Sequence, residues 1–80
     1  MNRQYKTKIE IVSRLAYEDI SSFIEKISFE KDIYKNGKTY FLDENRESII
    51  RADSKKKTVE LTDRVDEWIF NSINELNRKK

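Results

Sequence analysis

The spacing of apolar residues predicts a strand followed by a helix in the first third of the chain. From Tyr5 to Val12 the residues alternate between two sides, which is the pattern of a half-buried strand. One side holds Thr7, Ile9 and Ile11, and the other holds Lys6, Lys8 and Glu10. In the segment 18–27, large apolar residues recur at i, i+3, i+4 and i+7, as in an amphipathic helix. They are Ile20, Phe23, Ile24 and Ile27.

The dipeptide Asn36-Gly37 predicts a β-hairpin between strands at about 29–35 and 38–42. It favours a two-residue type I′ turn, because both positions tolerate positive φ. Such a turn pairs Lys35 with Lys38, Tyr34 with Thr39, Ile33 with Tyr40, and Asp32 with Phe41. The face expected to pack in the core holds Phe29, Ile33, Tyr40 and Leu42. The face expected to stay open holds Glu30, Asp32, Tyr34, Thr39, Phe41 and Asp43.

The rest of the chain predicts a short helix, a strand and a closing helix. The short helix is expected from Glu44 to Ala52 and the strand from Thr58 to Leu61. A final helix over 63–77 follows, with Thr62 or Asp63 as its N-cap. Its inner stripe is expected to hold Val65, Trp68, Ile69, Ser72, Ile73 and Leu76. Trp68 is thus predicted to anchor the core, whereas Phe70 lies off the stripe and is expected to be partly exposed.

These elements predict an α+β fold with the order β-α-β-β-(short α)-β-α in a single domain, residues 1–80. The sheet is expected to be four-stranded and mainly antiparallel, an open-faced sandwich with helices on one face and solvent on the other. A chain of 80 residues builds only a small core, so a homodimer is a further option that would add stability.

Composition removes most enzyme chemistry. The chain has no Cys and no His, which excludes disulfides, thiolate nucleophiles, histidine triads and zinc sites built from these residues. We therefore expect no catalytic activity, no cofactor and no metal. The 17 basic and 15 acidic residues nearly cancel to a net charge of +2. This balance is typical of a surface with mixed charges rather than of a nucleic-acid-binding protein. No apolar run approaches the roughly eighteen residues of a membrane span, and we expect a cytoplasmic protein without membrane contact.

The order and spacing of these elements resemble the HPr phosphocarrier fold of the sugar phosphotransferase system, most closely from Ile33 to Leu76. Tyr34-Lys35-Asn36-Gly37-Lys38-Thr39 is similar to the central hairpin turn of that family. The segments Asp43–Ala52, Thr58–Leu61 and Val65–Leu76 stand in the places of its short helix, last strand and closing helix. The resemblance implies an HPr-like topology.

The resemblance does not extend to the phosphocarrier activity. That family carries a phosphoryl-accepting histidine at the start of its first helix, where this chain has Ser13-Arg14-Leu15-Ala16-Tyr17. The regulatory serine of the family falls near Glu44, whose negative charge is similar to that of a phosphoserine. The resemblance therefore implies either a degenerate member of the fold that is retained for binding a protein or the same topology reached independently.

Two groups of residues are candidates for binding a partner. Tyr34 and Phe41 lie on the predicted open sheet face, and Glu44, Ile49 and Ile50 form the predicted short-helix surface. The alternative is a nucleic-acid-associated protein in which Lys55, Lys56 and Lys57 contact phosphates beside the aromatic residues. Those lysines also suit a solvated turn, and the aromatic residues also suit bracing of the hairpin.

Nearby acidic residues weigh against nucleic acid. Glu30, Asp32 and Asp43 would repel phosphates, so a protein partner is favoured. Asp43-Glu44-Asn45-Arg46-Glu47 lacks the glycine and the distal glutamate of a calcium loop and is predicted to be a polar helix start. The sequence thus predicts a non-enzymatic protein-binding or regulatory domain, with nucleic-acid binding as the alternative.

Overall fold

A computed structural model of the protein describes residues 5–33 and 37–78. Within these ranges the chain forms five strands and two helices in the order β-α-β-β-β-β-α. The elements are β1 (Tyr5–Glu10), α1 (Arg14–Ile27), β2 (Glu30–Ile33), β3 (Lys38–Leu42), β4 (Ser48–Asp53), β5 (Thr58–Thr62) and α2 (Glu67–Arg78). The fold is therefore α+β, as the sequence predicts, but with one strand more than expected. None of the helices in these ranges is long and apolar enough to cross a membrane.

The five strands form one antiparallel sheet in the order β1-β5-β4-β3-β2. Strands β2 to β5 follow one another as a meander, and α1 carries the chain from β1 at one edge to β2 at the other. Side chains that alternate along the strands meet both helices in one core, and within the described ranges no other element covers the opposite face of the sheet, called the open face. The core cluster consists of Ile9, Ile11, Ala16, Ile20, Ile24, Phe41, Ile50, Ala52, Val59, Leu61, Ile69 and Ile73.

The hairpin between β2 and β3 is shifted by one residue from the predicted register. Asp32 pairs with Tyr40 rather than with Phe41, and Ile33 pairs with Thr39 rather than with Tyr40. A shift of one residue turns every side chain of a strand to the other face. Phe41 is therefore only 2% exposed in the core, and the prediction that it lies on the open face is wrong.

The same shift places Tyr40 on the open face, where it was not expected. Phe29, predicted in the core, is 68% exposed just before β2. Gly37 does adopt positive φ (87°), as a hairpin glycine should. Because Thr39 pairs with Ile33, the predicted pair of Tyr34 with Thr39 is wrong. Tyr34 and Lys35 themselves lie outside the described ranges, and so does the predicted pair of Lys35 with Lys38.

The segment predicted as a short helix forms a turn and strand β4 instead. Ile50 and Ala52 face the core while Arg51 and Asp53 face the open side, a period of two that only a strand produces. A register shift opposite Phe41 and Leu42 leaves Ile49 as the extra residue of a β-bulge. The short helix that the HPr resemblance implied for this segment is thus replaced by a central strand.

Helix α1 begins at Arg14, four residues before the predicted start. The hydroxyl of Ser13 accepts a hydrogen bond from the backbone N–H of Ala16 at 3.1 Å, which is N-cap geometry. Ala16, Ile20 and Ile24 then repeat every four residues and are fully buried. The predicted apolar stripe of this helix is confirmed, and it is one turn longer than expected.

Helix α2 is rotated relative to the prediction. Ile69 and Ile73 point into the core, whereas Trp68 is 54% exposed. Trp68 lies about 100° around the helix from Ile69, so it contacts α1 at the edge of the layer, with its ring 6.2 Å from that of Phe23. The prediction that Trp68 anchors the core is wrong, while the partial exposure of Phe70 is confirmed.

The end of edge strand β1 is covered by a side chain of α2. Asn77 donates from Nδ2 to the carbonyl oxygen of Glu10 at 3.0 Å and accepts at Oδ1 from the N–H of Val12 at 2.9 Å. These two backbone groups point away from β5, because Ile11 between them donates its N–H to the Lys57 carbonyl oxygen. The amide thus takes the place of a further strand and shortens the free edge.

We expect Asn77→Ala to lower the free energy of unfolding by about 1 kcal/mol, through loss of two partly solvated hydrogen bonds offset by better helix propensity. Amide exchange at Val12 should accelerate at the same time. Asn74→Ala, one turn earlier, is the control, because Asn74 holds neither of these backbone groups. Equal urea denaturation midpoints for the two variants would contradict the role assigned to Asn77.

Candidate functional site

The open face of the sheet carries a row of polar side chains that crosses its strands. The register pairs Lys8 of β1 with Glu60 of β5, Glu60 with Arg51 of β4, and Arg51 with Tyr40 of β3. Residues paired across antiparallel strands project to the same face at a spacing of about 5 Å. These four side chains therefore lie side by side on the uncovered face.

Arg51 is the centre of this row. Its Nε donates to Oε1 of Glu60 at 2.7 Å, and both side chains are only partly exposed. The guanidinium carbon also lies 4.2 Å from the centroid of the Tyr5 ring, which is cation–π geometry. Tyr40 is the cross-strand partner of Arg51 on β3. Arg51 thus lies between an acid and two tyrosines.

The electrostatics keep the Arg51–Glu60 pair ionised. The hydrogen bond from Arg51 is the main reason that the pKa of Glu60 lies below its usual value, and Lys8 and Lys38 lower it further. The same hydrogen bond raises the pKa of Arg51. Because Arg51 and Glu60 neutralise each other at neutral pH, neither needs a charged group from a partner. A partner would therefore remove water mainly from the rings of Tyr5 and Tyr40.

Tyr5 reaches this face because β1 is irregular. The register shifts between Tyr5 and Thr7, so Tyr5 pairs with Thr62 and projects to the open side rather than to the core. Its hydroxyl forms a hydrogen bond with the hydroxyl of Ser48 on β4. Burial raises the pKa of the Tyr5 phenol, which therefore stays neutral at physiological pH.

A cleft of about 250 Å³ opens beside this row, toward the turn between β4 and β5. Its charged lining comes from four strands and the turn, and it has more cations than anions. The lining residues are Lys8, Lys38, Arg51, Ala52, Asp53, Lys56, Thr58 and Glu60. The cleft therefore extends from Arg51, beside the rings of Tyr5 and Tyr40, to Lys56 in the turn between β4 and β5.

The structure does not bring the predicted partner-binding residues together. Phe41 and Ile50 are buried in the core, at 2% and 0% exposure, because β3 is shifted in register and β4 is a strand. They cannot contact a partner without unfolding. Ile49 is partly buried at the bulge, Glu44 is exposed in the turn before β4, and Tyr34 lies outside the described residues.

The predicted lysine cluster occupies the turn between β4 and β5. Lys55, Lys56 and Lys57 are all exposed there, and Lys56 lines the cleft. A second basic cluster ends the sequence, and two of its residues, Lys79 and Lys80, lie outside the described ranges. The three turn lysines are thus at the end of the sheet opposite Glu44.

Sequence reasoning did not select Tyr5, Tyr40, Arg51 and Glu60 as site residues, and it assigned Tyr40 to the core. One signal was present for Arg51, because Ile50, Arg51, Ala52 and Asp53 alternate between apolar and charged. That alternation predicts a strand with Arg51 facing outward. No comparable signal existed for Tyr40, since Tyr40, Phe41 and Leu42 are consecutive apolar residues.

Comparison with known proteins adds no family assignment. No protein-family model, no curated protein and no solved structure matches the chain. Among the described residues, no group of three or more acidic side chains is arranged to hold a metal ion. The open face is therefore interpreted from its own geometry.

Proposed function

We propose that the protein is a non-enzymatic domain that binds another protein through the open face of its sheet. The observation that carries this proposal is the partly buried centre of Tyr5, Arg51 and Tyr40 on a face that neither helix covers. Tyrosine and arginine are the residue types that most often dominate protein interfaces. An arginine already oriented by Glu60 loses little side-chain freedom on binding.

The charges of this face favour a protein over a nucleic acid. Four cations, Lys6, Lys8, Lys38 and Arg51, share the strand positions of the face with five acids. The acids are Glu10, Glu30, Asp32, Asp53 and Glu60. A phosphate backbone crossing the whole sheet would meet more negative than positive side chains. The nucleic-acid alternative is supported only by the lysine-rich end, where the cleft lies.

Descent from the HPr fold is a separate part of the proposal. The predicted hairpin, last strand and closing helix support it by their order, and the strand in place of the short helix weighs against it. A phosphocarrier activity is not part of this proposal, because the chain has no histidine.

The test is capture of a partner from native lysate on the immobilised protein and on two variants. Tyr40→Ala should weaken retention of a specific protein about tenfold or more, as expected for a hot-spot tyrosine. Asn71→Ala on the exposed side of α2 is the control and should retain the partner like the unmodified chain. Retention that is the same for all three proteins would contradict the proposed face. Retention that disappears after nuclease treatment would support the nucleic-acid alternative instead.

A further inference from the structure

Hydrogen bonds hold the backbone of the turn that carries three lysines. Oδ1 of Asp53 accepts hydrogen bonds from the N–H groups of Lys55 and Lys56 at 3.0 and 3.1 Å. The backbone N–H of Ser54 donates to the carbonyl oxygen of Gly37 in the neighbouring hairpin, at 3.1 Å. The backbone that carries the lysine side chains is therefore already ordered, so less conformational entropy is lost when they bind an anion.

The cleft next to this turn has an excess of positive charge. Lys8, Lys38, Arg51 and Lys56 line it together with two acids, Asp53 and Glu60. Both acids are already engaged, Asp53 with the backbone of the turn and Glu60 with Arg51. Thr58 adds a hydroxyl side chain to the lining. The chemistry of the cleft thus suits a carboxylate or another small anionic group.

We propose that the protein partner docks an extended acidic segment across the lysine-rich end of the open face, with its carboxylates over Lys8, Lys38 and Lys56. This inference rests on the proposed function and names the chemistry of the partner at that site. The complementary charge of the cleft argues for an acidic segment, and the size of the face argues for an extended one. The open face measures roughly 20 by 18 Å, or about 360 Å². This is about half of the roughly 800 Å² that each side of a standard globular interface buries.

The spacing of the cations also fits a peptide. Lys8 and Lys38 lie three strand spacings, about 14 Å, apart across the sheet and two residues, about 7 Å, apart along it, so roughly 16 Å separates them. Side chains on one side of an extended peptide repeat about every 7 Å, so carboxylates four residues apart come within reach of both long lysine side chains. The interspersed Glu10, Asp53 and Glu60 tolerate separate carboxylates better than a continuous phosphate backbone.

The experiment is an NMR titration of the full chain with three probes: the peptide acetyl-(Glu-Ser)5-amide, its Lys-Ser counterpart, and the oligonucleotide dT10. The Glu-Ser peptide should shift amide signals of β1, β3 and the lysine turn. Lys8→Gln/Lys56→Gln should raise its Kd about tenfold. Lys26→Gln/Arg78→Gln, with the same charge change on the two helices, should leave the Kd within about twofold.

Three outcomes overturn the inference. They are no shifts with the Glu-Ser peptide, equal losses in both double variants, and tighter binding of dT10 than of the peptide at these residues. The proposed function is tested separately by Tyr40→Ala and a captured partner. A partner that depends on Tyr40 but not on Lys8 and Lys56 leaves the proposed function standing without the acidic segment.

Discussion

Phe41→Ala should lower the free energy of unfolding by about 3–5 kcal/mol, the usual loss for a buried aromatic side chain. Phe41 is 2% exposed and packs from the central part of the sheet against the helices, in the cluster that contains Ile24 and Ile50. Total stabilities of small domains are of the order of 5 kcal/mol, so much of the population would unfold at 37 °C. Urea denaturation followed by Trp68 fluorescence or circular dichroism measures the change.

Tyr40→Ala is the matched control for Phe41→Ala. It removes an aromatic ring from the adjacent position of the same strand, but from the open face. Its cost should be about 1 kcal/mol, the scale of a cross-strand pair. If Tyr40→Ala were the more damaging substitution, β3 would face the opposite way and the register of the first hairpin would be the one that the Asn36-Gly37 turn predicts.

Ile73→Ala should lower the free energy of unfolding by about 3–4 kcal/mol, while Trp68→Ala should cost about 1 kcal/mol. Ile73 is 0% exposed, whereas Trp68 lies at the edge of the helix layer and loses mainly its edge-to-face contact with Phe23. This ranking is unusual, because the tryptophan is much the larger side chain. The comparison therefore reports the rotation of α2 about its axis.

Both variants can be measured by guanidinium or urea denaturation followed by far-ultraviolet circular dichroism, which does not depend on the tryptophan signal. A loss above about 3 kcal/mol for Trp68→Ala would mean that the indole is buried. Helix α2 would then carry Trp68 in its inner stripe, as the apolar spacing of the sequence alone predicts.

The sequence predicts the elements better than it predicts their faces. The alternation in β1, the four-residue repeat of α1 and the apolar spacing of α2 are strong local patterns, and all three elements form where expected within a few residues. The start of α1 was missed although Ser13 is a typical N-cap residue, because the apolar repeat used for the prediction begins only at Ile20. Strand β4 was missed because Ile49 adds a bulge residue, which disturbs the period of two before Ile50.

The candidate site was less predictable than the fold. Arg51 and Glu60 become neighbours only when β4 pairs with β5, and Tyr5 reaches Arg51 only because β1 has an irregular register. Tyr5 and Arg51 are far apart in the chain, and Arg51 and Glu60, at a separation of 9 residues, meet only when the β4–β5 hairpin forms in this register. The basic turn of Lys55, Lys56 and Lys57 was visible in the sequence, but its position beside Lys8 and Lys38 was not.

The sequence by itself determined the α+β class, the places of most elements and the absence of histidine and cysteine chemistry. Only the tertiary structure decided which side of β3 is buried. Tyr40, Phe41 and Leu42 are consecutive apolar residues, so no alternation selects a face, and the turn must set the register. Gly37, at the end of that turn, is held by a long-range contact, since its carbonyl oxygen accepts hydrogen bonds from both the N–H and the hydroxyl of Ser54. A dipeptide such as Asn36-Gly37 does not reveal this contact, and a register shift of one residue exchanges Phe41 for Tyr40 on the open face.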